Sequence, residues 1–213
     1  MDWTIKEMKK IGLITALEIE VPDQLKYTYS KEIQKFKNKE NEVAVIVSGV
    51  GQKKAIAATK KLCSEYKPDI IFFIGFCGGV KKGCKPCDLF LADSICYNDS
   101  ELKIDEKSLD FVKQKLSKNR FKIIIGKFQT FDDVVVSKKG LAEGVVAVEM
   151  ESYAALKEAN KYKTPMILLR SVSDIIPEKK TFFAKLKAQR EFMRNIADAK
   201  KSLNDVYEIL FLK

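Results

Sequence analysis

The sequence contains no histidine at all. That absence excludes Ser-His-Asp and Cys-His catalysis and any histidine-ligated zinc. Proton chemistry must then fall to carboxylates, Lys, Tyr or Cys. No apolar run approaches the roughly 20 residues a membrane span needs, and Met1-Asp2-Trp3 does not open a signal sequence. A cytoplasmic protein without a membrane span is therefore expected. The five cysteines are an odd count, which fits a reducing compartment better than a disulfide framework. Cys84-Lys-Pro-Cys87 lacks a matching second pair, and the residues after it read as a strand, so neither a zinc site nor a redox dithiol is favoured.

What is present is an ordinary globular composition, 46% hydrophobic and 32% charged over 213 residues. That length suits one α/β domain, taken as residues 1–213, able to bury about 70% of its unfolded surface. The formal net charge of +10 comes from lysines spread along the chain among acidic residues. No aromatic-basic motif accompanies them, so a lysine-rich surface is preferred to nucleic-acid binding, with mild attraction for anions.

Short apolar runs mark buried strands at Lys10–Ala16, Glu42–Ser48, Asp69–Ile74, Leu89–Tyr97, Phe121–Ile125, Val145–Val148 and Pro165–Leu169. Residues 26–37 and the strand from Glu42, joined by the polar turn 38–41, suggest a β-hairpin. Helices are predicted over Lys53–Tyr66, stopped by Pro68, over 105–117 with Leu109, Phe111, Val112 and Leu116 inward, and over Met150–Lys161. A long charged helix runs from Phe182, with Asn195 and Asn204 as points where it can bend. Alternating strands and helices predict a three-layer α/β/α sandwich around a central mixed β-sheet.

Ligands of open α/β sheets bind beyond the carboxyl ends of the strands. Glu18 and Glu20, Ser48-Gly-Val-Gly51, Gly75-Phe-Cys-Gly-Gly79, Glu149-Met-Glu151 and Ser173-Asp174 all fall at such ends. Each has a plainer explanation: a tight turn for the glycines, helix-dipole charges for Glu149 and Glu151, an N-cap for Asp174. Their shared placement raises the alternative that they converge on one crevice.

Five segments carry a family resemblance. Ile11-Gly-Leu-Ile-Thr-Ala-Leu-Glu-Ile-Glu-Val21, Ser48-Gly-Val-Gly-Gln-Lys-Lys-Ala-Ile-Ala-Ala58, Ile74-Gly-Phe-Cys-Gly-Gly-Val80, Ala147-Val-Glu-Met-Glu-Ser152 and Leu169-Arg-Ser-Val-Ser-Asp-Ile175 occur in that order. Together the chain resembles the nucleoside phosphorylase/nucleosidase superfamily, and within it the 5′-methylthioadenosine/S-adenosylhomocysteine nucleosidases. Gly126-Lys-Phe-Gln-Thr-Phe-Asp-Asp-Val-Val135 is more similar to the hopanoid-associated phosphorylase branch. Phe76 and Cys77 stand where the usual turn has Ser-Ala, and the span from Tyr97 to Gly126 is shorter than in typical members.

The resemblance implies purine N-glycosidic bond cleavage, with release of adenine from a 5′-substituted adenosine. Asp174 is implied as the acid protonating N7 and Glu20 as the carboxylate that activates water. Ser173 holds the acid, Met150 and Glu151 meet the ribose, and Cys77 and Gly78 border the substrate. Phe128 or Phe131 is available to stack on the base, or to serve the core. No metal or organic cofactor is implied. A phosphorylase would take inorganic phosphate as co-substrate instead, using Gly12, Gly49 and Gly51 N–H groups with Lys53 or Arg170; a carboxylate at Glu20 repels phosphate and favours water. A nucleoside-binding protein without catalysis is the reading from another class. The implied partners are a small nucleoside and a second copy of the chain, as a homodimer or higher homo-oligomer, with no nucleic acid.

Overall fold

The computed structural model describes residues 10–28, 30, 32–37, 41–118, 123–179 and 184–212. Met1-Asp2-Trp3, most of the predicted polar turn, the first two residues of the strand from Phe121 and the first two of the helix from Phe182 lie outside the described residues.

Among the described residues, nine strands form one mixed sheet. They are β1 (Lys10–Thr15), β2 (Gln34–Lys37), β3 (Glu42–Val47), β4 (Ile70–Gly79), β5 (Leu89–Tyr97), β6 (Ser100–Lys103), β7 (Ile123–Thr130), β8 (Val145–Glu149) and β9 (Met166–Ile175). The helices are α1 (Gln52–Lys61), α2 (Glu106–Ser117), α3 (Ser152–Lys161) and α4 (Ala184–Phe211). β1, β3, β4 and β9 run parallel, buried on both faces, as their near-continuous apolar runs require. The hairpin of β2 with β3 is present. The strand β6, which the sequence reading did not anticipate, forms a second hairpin with β5.

Alternation along β4 separates the helical layers. Gly12 and its neighbour Ile71 face Leu62, beyond the end of α1. Phe72 points the other way and meets Phe211 of α4 edge-on at 4.8 Å. α1 packs on α3, and α2 packs on α4. This is the expected sandwich. α2 begins where the Asp105 carboxylate accepts from the Ser108 N–H at 2.8 Å, and it buries Leu109, Val112 and Leu116. Phe111 is only half-buried. α1 runs on through a π-helical turn, Leu62–Tyr66, and ends at Lys67 in the left-handed region before Pro68. α4 is continuous for 28 residues. Its two asparagines are tethers rather than bends: Asn195 donates to the Ser173 carbonyl at 2.8 Å, and Asn204 donates to Asp23 at 2.8 Å.

Three strands run on past the ends read from the sequence: β7 continues beyond Ile125 to Thr130, and the other two shape the site most directly. The glycine segment 75–79 is not a turn after β4 but its continuation, buried throughout. Its glycines are there because neighbours crowd them; a Cβ on Gly78 would lie 2.6 Å from Ile176 and one on Gly79 would lie 2.8 Å from Cys84. β9 likewise continues beyond Leu169 to Ile175, which places Asp174 inside a strand and removes the N-cap explanation. β9 pairs with β4 with one irregularity, Cys77 opposite Val172 and Gly78 opposite Asp174, leaving Ser173 as the extra residue of a bulge. A bulge re-aims the side chains around it.

The far half of the sheet is not open. β4 pairs with β9, β9 with β5, β5 with β7, β7 with β8, and β8 returns to the end of β4. The five strands close into a ring, so the crevice lies at the mouth of a closed unit. Among the described residues, no helix is long and apolar enough to cross a membrane.

Candidate active site

Four carboxylates converge at that mouth, each positioned by its own local structure. β1 ends at Thr15, and a 3-10 turn over Glu18–Glu20 folds the Glu20 side chain back. Its Oε2 accepts from the N–H groups of Ala16 and Leu17 at 2.8 and 2.7 Å, and its Oε1 accepts from Phe76 N–H at 2.9 Å. The carboxylate therefore bridges the ends of β1 and β4. Burial pushes its pKa up, against the pull of these N–H groups and of Arg170.

Glu149 and Glu151 divide between structure and cavity. Glu149 Oε2 takes the N–H groups of Glu151 and Ser152 at 3.0 and 2.7 Å, the free donors at the start of α3. Arg170, only 1% exposed, places Nη2 3.3 Å from the same oxygen and donates from Nη1 to the Phe73 carbonyl at 2.6 Å. Thr130 donates to the other Glu149 oxygen. Glu149 thus meets the helix-dipole explanation, and Glu151 does not. Glu151 accepts from Gly51 N–H at 2.9 Å, where Gly51 holds a φ of +101° that glycine tolerates. Burial first, and Glu149 beside it second, push Glu151 up to about 7.

The bulge in β9 sets the fourth group. Ser173 Oγ lies 2.8 Å from Asp174 Oδ1 and 3.2 Å from the Cys77 carbonyl, two acceptors for one hydroxyl hydrogen. Burial raises Asp174 to about 6, and nearby Glu191 adds to the rise, while the Ser173 bond opposes it. The roles the resemblance implies, Asp174 as acid and Glu20 as base, call for one carboxyl raised and the other ionised. Instead both are raised, because both are withdrawn from water.

These groups border one cavity of about 450 Å³. Of the residues singled out from the sequence, Glu20, Cys77, Gly78, Met150, Glu151, Ser173 and Asp174 all line it. Phe128 does not. It is fully buried in β7 within the hydrophobic core, so the stacking expectation at this position is corrected to a packing role. Phe131 packs on a small cluster with Val80, Cys96 and Val148, also off the cavity wall. Gly12, Lys53 and Arg170, considered as phosphate ligands, are likewise not on the wall. Gly12 abuts Leu62, and Arg170 is committed to Glu149.

One whole wall was not anticipated. α4 contributes Lys185, Ala188, Gln189 and Phe192. Phe192 meets Phe76 edge-on, centroids 5.8 Å apart, and Lys185 Nζ reaches Asp133 Oδ2 at 2.9 Å. The signal was an apolar stripe at helical spacing, Phe192, Ile196, Ala199, Leu203, Val206 and Leu210. Its C-terminal part fills the core, and its N-terminal part continues onto the cavity. Val50, Val134, Val135, Val148 and Ile176 complete a mostly apolar lining. An apolar pocket holding a few convergent carboxyls is suited to binding a neutral, partly apolar molecule and exchanging protons with it.

The sequence profile of the Phosphorylase superfamily matches residues 10–208. A 5′-methylthioadenosine/S-adenosylhomocysteine nucleosidase of Buchnera aphidicola is 29% identical over an alignment of 198 positions, covering 78% of this chain and 84% of that protein. Among solved structures, futalosine hydrolase of Helicobacter pylori superposes with a TM-score of 0.83 at 18% identity, covering 95% of this chain and 97% of the other. The corresponding nucleosidase from S. pneumoniae, solved with a transition-state inhibitor, gives 0.80 at 21% identity, covering 94% and 97%. At these identities the two structures speak for the fold.

Proposed function

This chain belongs to the Phosphorylase superfamily, and we propose that within it the protein is a hydrolytic nucleosidase releasing adenine from a 5′-substituted adenosine. The curated relatives named as nucleosidases support the reaction class. The observation that carries the choice of water over phosphate is that the cavity wall offers carboxyls and, among the described residues, no uncommitted cation. Glu20, Asp133, Glu149, Glu151 and Asp174 line it, and among the described residues its only cation is Lys185, already paired with Asp133. A phosphate dianion needs several donors or cations. The Glu20 carboxyl, with its N–H partners already occupied in holding it, would repel one.

In the proposed reaction the Asp174 carboxyl gives its proton to N7 of the base as the bond to the ribose breaks. The electron pair leaves with the base, and positive charge grows on the sugar. Glu151 accepts hydrogen bonds from the ribose hydroxyls. Glu20 takes a proton from the water that adds to the anomeric carbon and offsets the developing charge. The raised pKa of Asp174 keeps it protonated into the mildly acid range, which an acid catalyst requires.

The test is a panel of 5′-substituted adenosines with chromatographic detection of adenine. Turnover of at least one, lost in Asp174→Asn, is expected. Binding of these compounds without base release at micromolar protein would contradict the proposal and favour a nucleoside-binding protein.

A further inference from the structure

Asp174 lies in the wall between two cavities. One is the cavity already described. The other, of about 380 Å³, lies between the end of β9, the segment at Val135 and Val136, and α4. The two share Val135, Asp174, Ile176 and Ala188. Exposed Pro177, Lys187 and Arg194 form part of the second cavity's lining, so it reaches solvent.

Hydrolysis by the proposed mechanism requires Asp174 to exchange a proton with solvent once per turnover. In each turnover the Asp174 proton leaves with the base, and a proton from the attacking water arrives on Glu20. Glu20 must return its proton to solvent, and Asp174 must gain one from solvent. The substrate side of Asp174 faces the released base until that base departs. Resting on the function proposed above, we propose that the second cavity is the route by which Asp174 recovers its proton from solvent, with Glu191 as the positioning residue that attracts it there.

Glu191 lines this cavity from α4, its side chain 26% exposed, with Lys187 Nζ 3.9 Å away. Its negative charge acts on Asp174. The other charged or titratable groups lining the two cavities with Asp174 are Lys185, Lys187 and Arg194 on α4, Asp133 on the loop after β7, Cys77 on β4, Glu20 after β1, and Glu149 and Glu151 at the end of β8. Of the charged groups in the second cavity, Glu191 is the one that favours a proton on Asp174, and a cation there, Lys187 or Arg194, can only act in the opposite sense.

The experiment is the pH dependence of kcat/KM for the wild type, Glu191→Gln, Glu191→Asp and Arg194→Gln. Loss of the Glu191 charge should move the alkaline limb to lower pH, so that activity falls about threefold or more at pH 8 and less at pH 5, a shift of half a pKa unit or more. Arg194→Gln should move the limb the other way, and Glu191→Asp should restore it. Narrowing the second cavity with Val136→Phe should slow steady-state turnover more than the first turnover, which uses a proton already on Asp174. A purely structural role lowers activity equally at every pH. An alkaline limb unmoved in both Glu191→Gln and Arg194→Gln overturns the inference. If Asp174→Asn is inactive in that case, the function proposed above stands and only the proton route fails; if Asp174→Asn is fully active, both fail.

Discussion

Glu20 rests against Gly75 so closely that a Cβ at Gly75 would lie 2.7 Å from Glu20 Oε1 and 3.1 Å from its carboxyl carbon. Gly75 has an ordinary strand backbone, so its lack of a side chain answers to the carboxylate and not to a turn. Gly75→Ala should leave the sheet intact and displace Glu20 from its N–H partners. The expected outcome is a kcat reduced on the order of 10²-fold, as for other misplaced catalytic groups, with little change in the thermal midpoint. Steady-state kinetics beside a melting curve checks it. Full activity in Gly75→Ala would remove Glu20 from the reaction.

Asp174→Asn keeps the shape of the acid and removes its proton. Loss of general-acid help should lower kcat by about 10²- to 10⁴-fold. In the wild type the alkaline limb of kcat/KM should fall near the Asp174 value of about 6, modified by coupling among the carboxyls. A limb that survives in Asp174→Asn would assign the titration to another group.

The same burial has a cost in stability, and its sign is opposite to that of an ordinary salt-bridged carboxylate. Asp174 and Glu151 are raised to about 6 and about 7, so the folded state holds their protons more tightly than the unfolded chain does. Their contribution to stability is therefore fully present below the usual carboxylate range and is lost as pH rises through about 6 and about 7. Asp174→Asn and Glu151→Gln should match the wild type near pH 4 and exceed it at pH 8 by roughly 1–2 kcal/mol each, after allowing for partial exposure. Urea denaturation at the two pH values measures this, and a variant less stable than the wild type at pH 8 would refute it.

Arg170 and Glu149 are a buried ion pair beneath the cavity, with side chains 2% and 1% exposed. Arg170→Met leaves Glu149 uncompensated and should destabilise the fold by about 3–5 kcal/mol. Adding Glu149→Gln to it should recover a substantial part. A double mutant no better than the single one would show that the Phe73 and Ser152 contacts of Arg170, rather than its charge, matter most.

Much of this was legible from residues alone. Carboxylates and glycines recur at strand ends, and with histidine absent the acid chemistry had to be theirs. The seven cavity-lining residues named from sequence come from four separate segments, which a resemblance of ordered motifs brings together. Less legible was how the strands end. Nothing in Gly75–Gly79 or Arg170–Asp174 distinguishes a turn from a strand continuing under close packing, and the Ser173 bulge exists only in the pairing of β4 with β9. Phe128 illustrates a second limit: an aromatic in a strand packs equally well on a base or in a core, and only burial decides. The α4 wall was hidden for a related reason, since an apolar stripe does not say where the core stops and a cavity begins.

The most direct test of hydrolysis is the fate of the sugar. The reaction is run in water labelled with heavy oxygen, with and without inorganic phosphate, and the released sugar is weighed by mass spectrometry. Attack by water assisted by Glu20 predicts adenine release at the same rate in both conditions and one labelled oxygen on the anomeric carbon, with the rate lost in Glu20→Gln. Release that depends on phosphate and yields an unlabelled sugar 1-phosphate would contradict it.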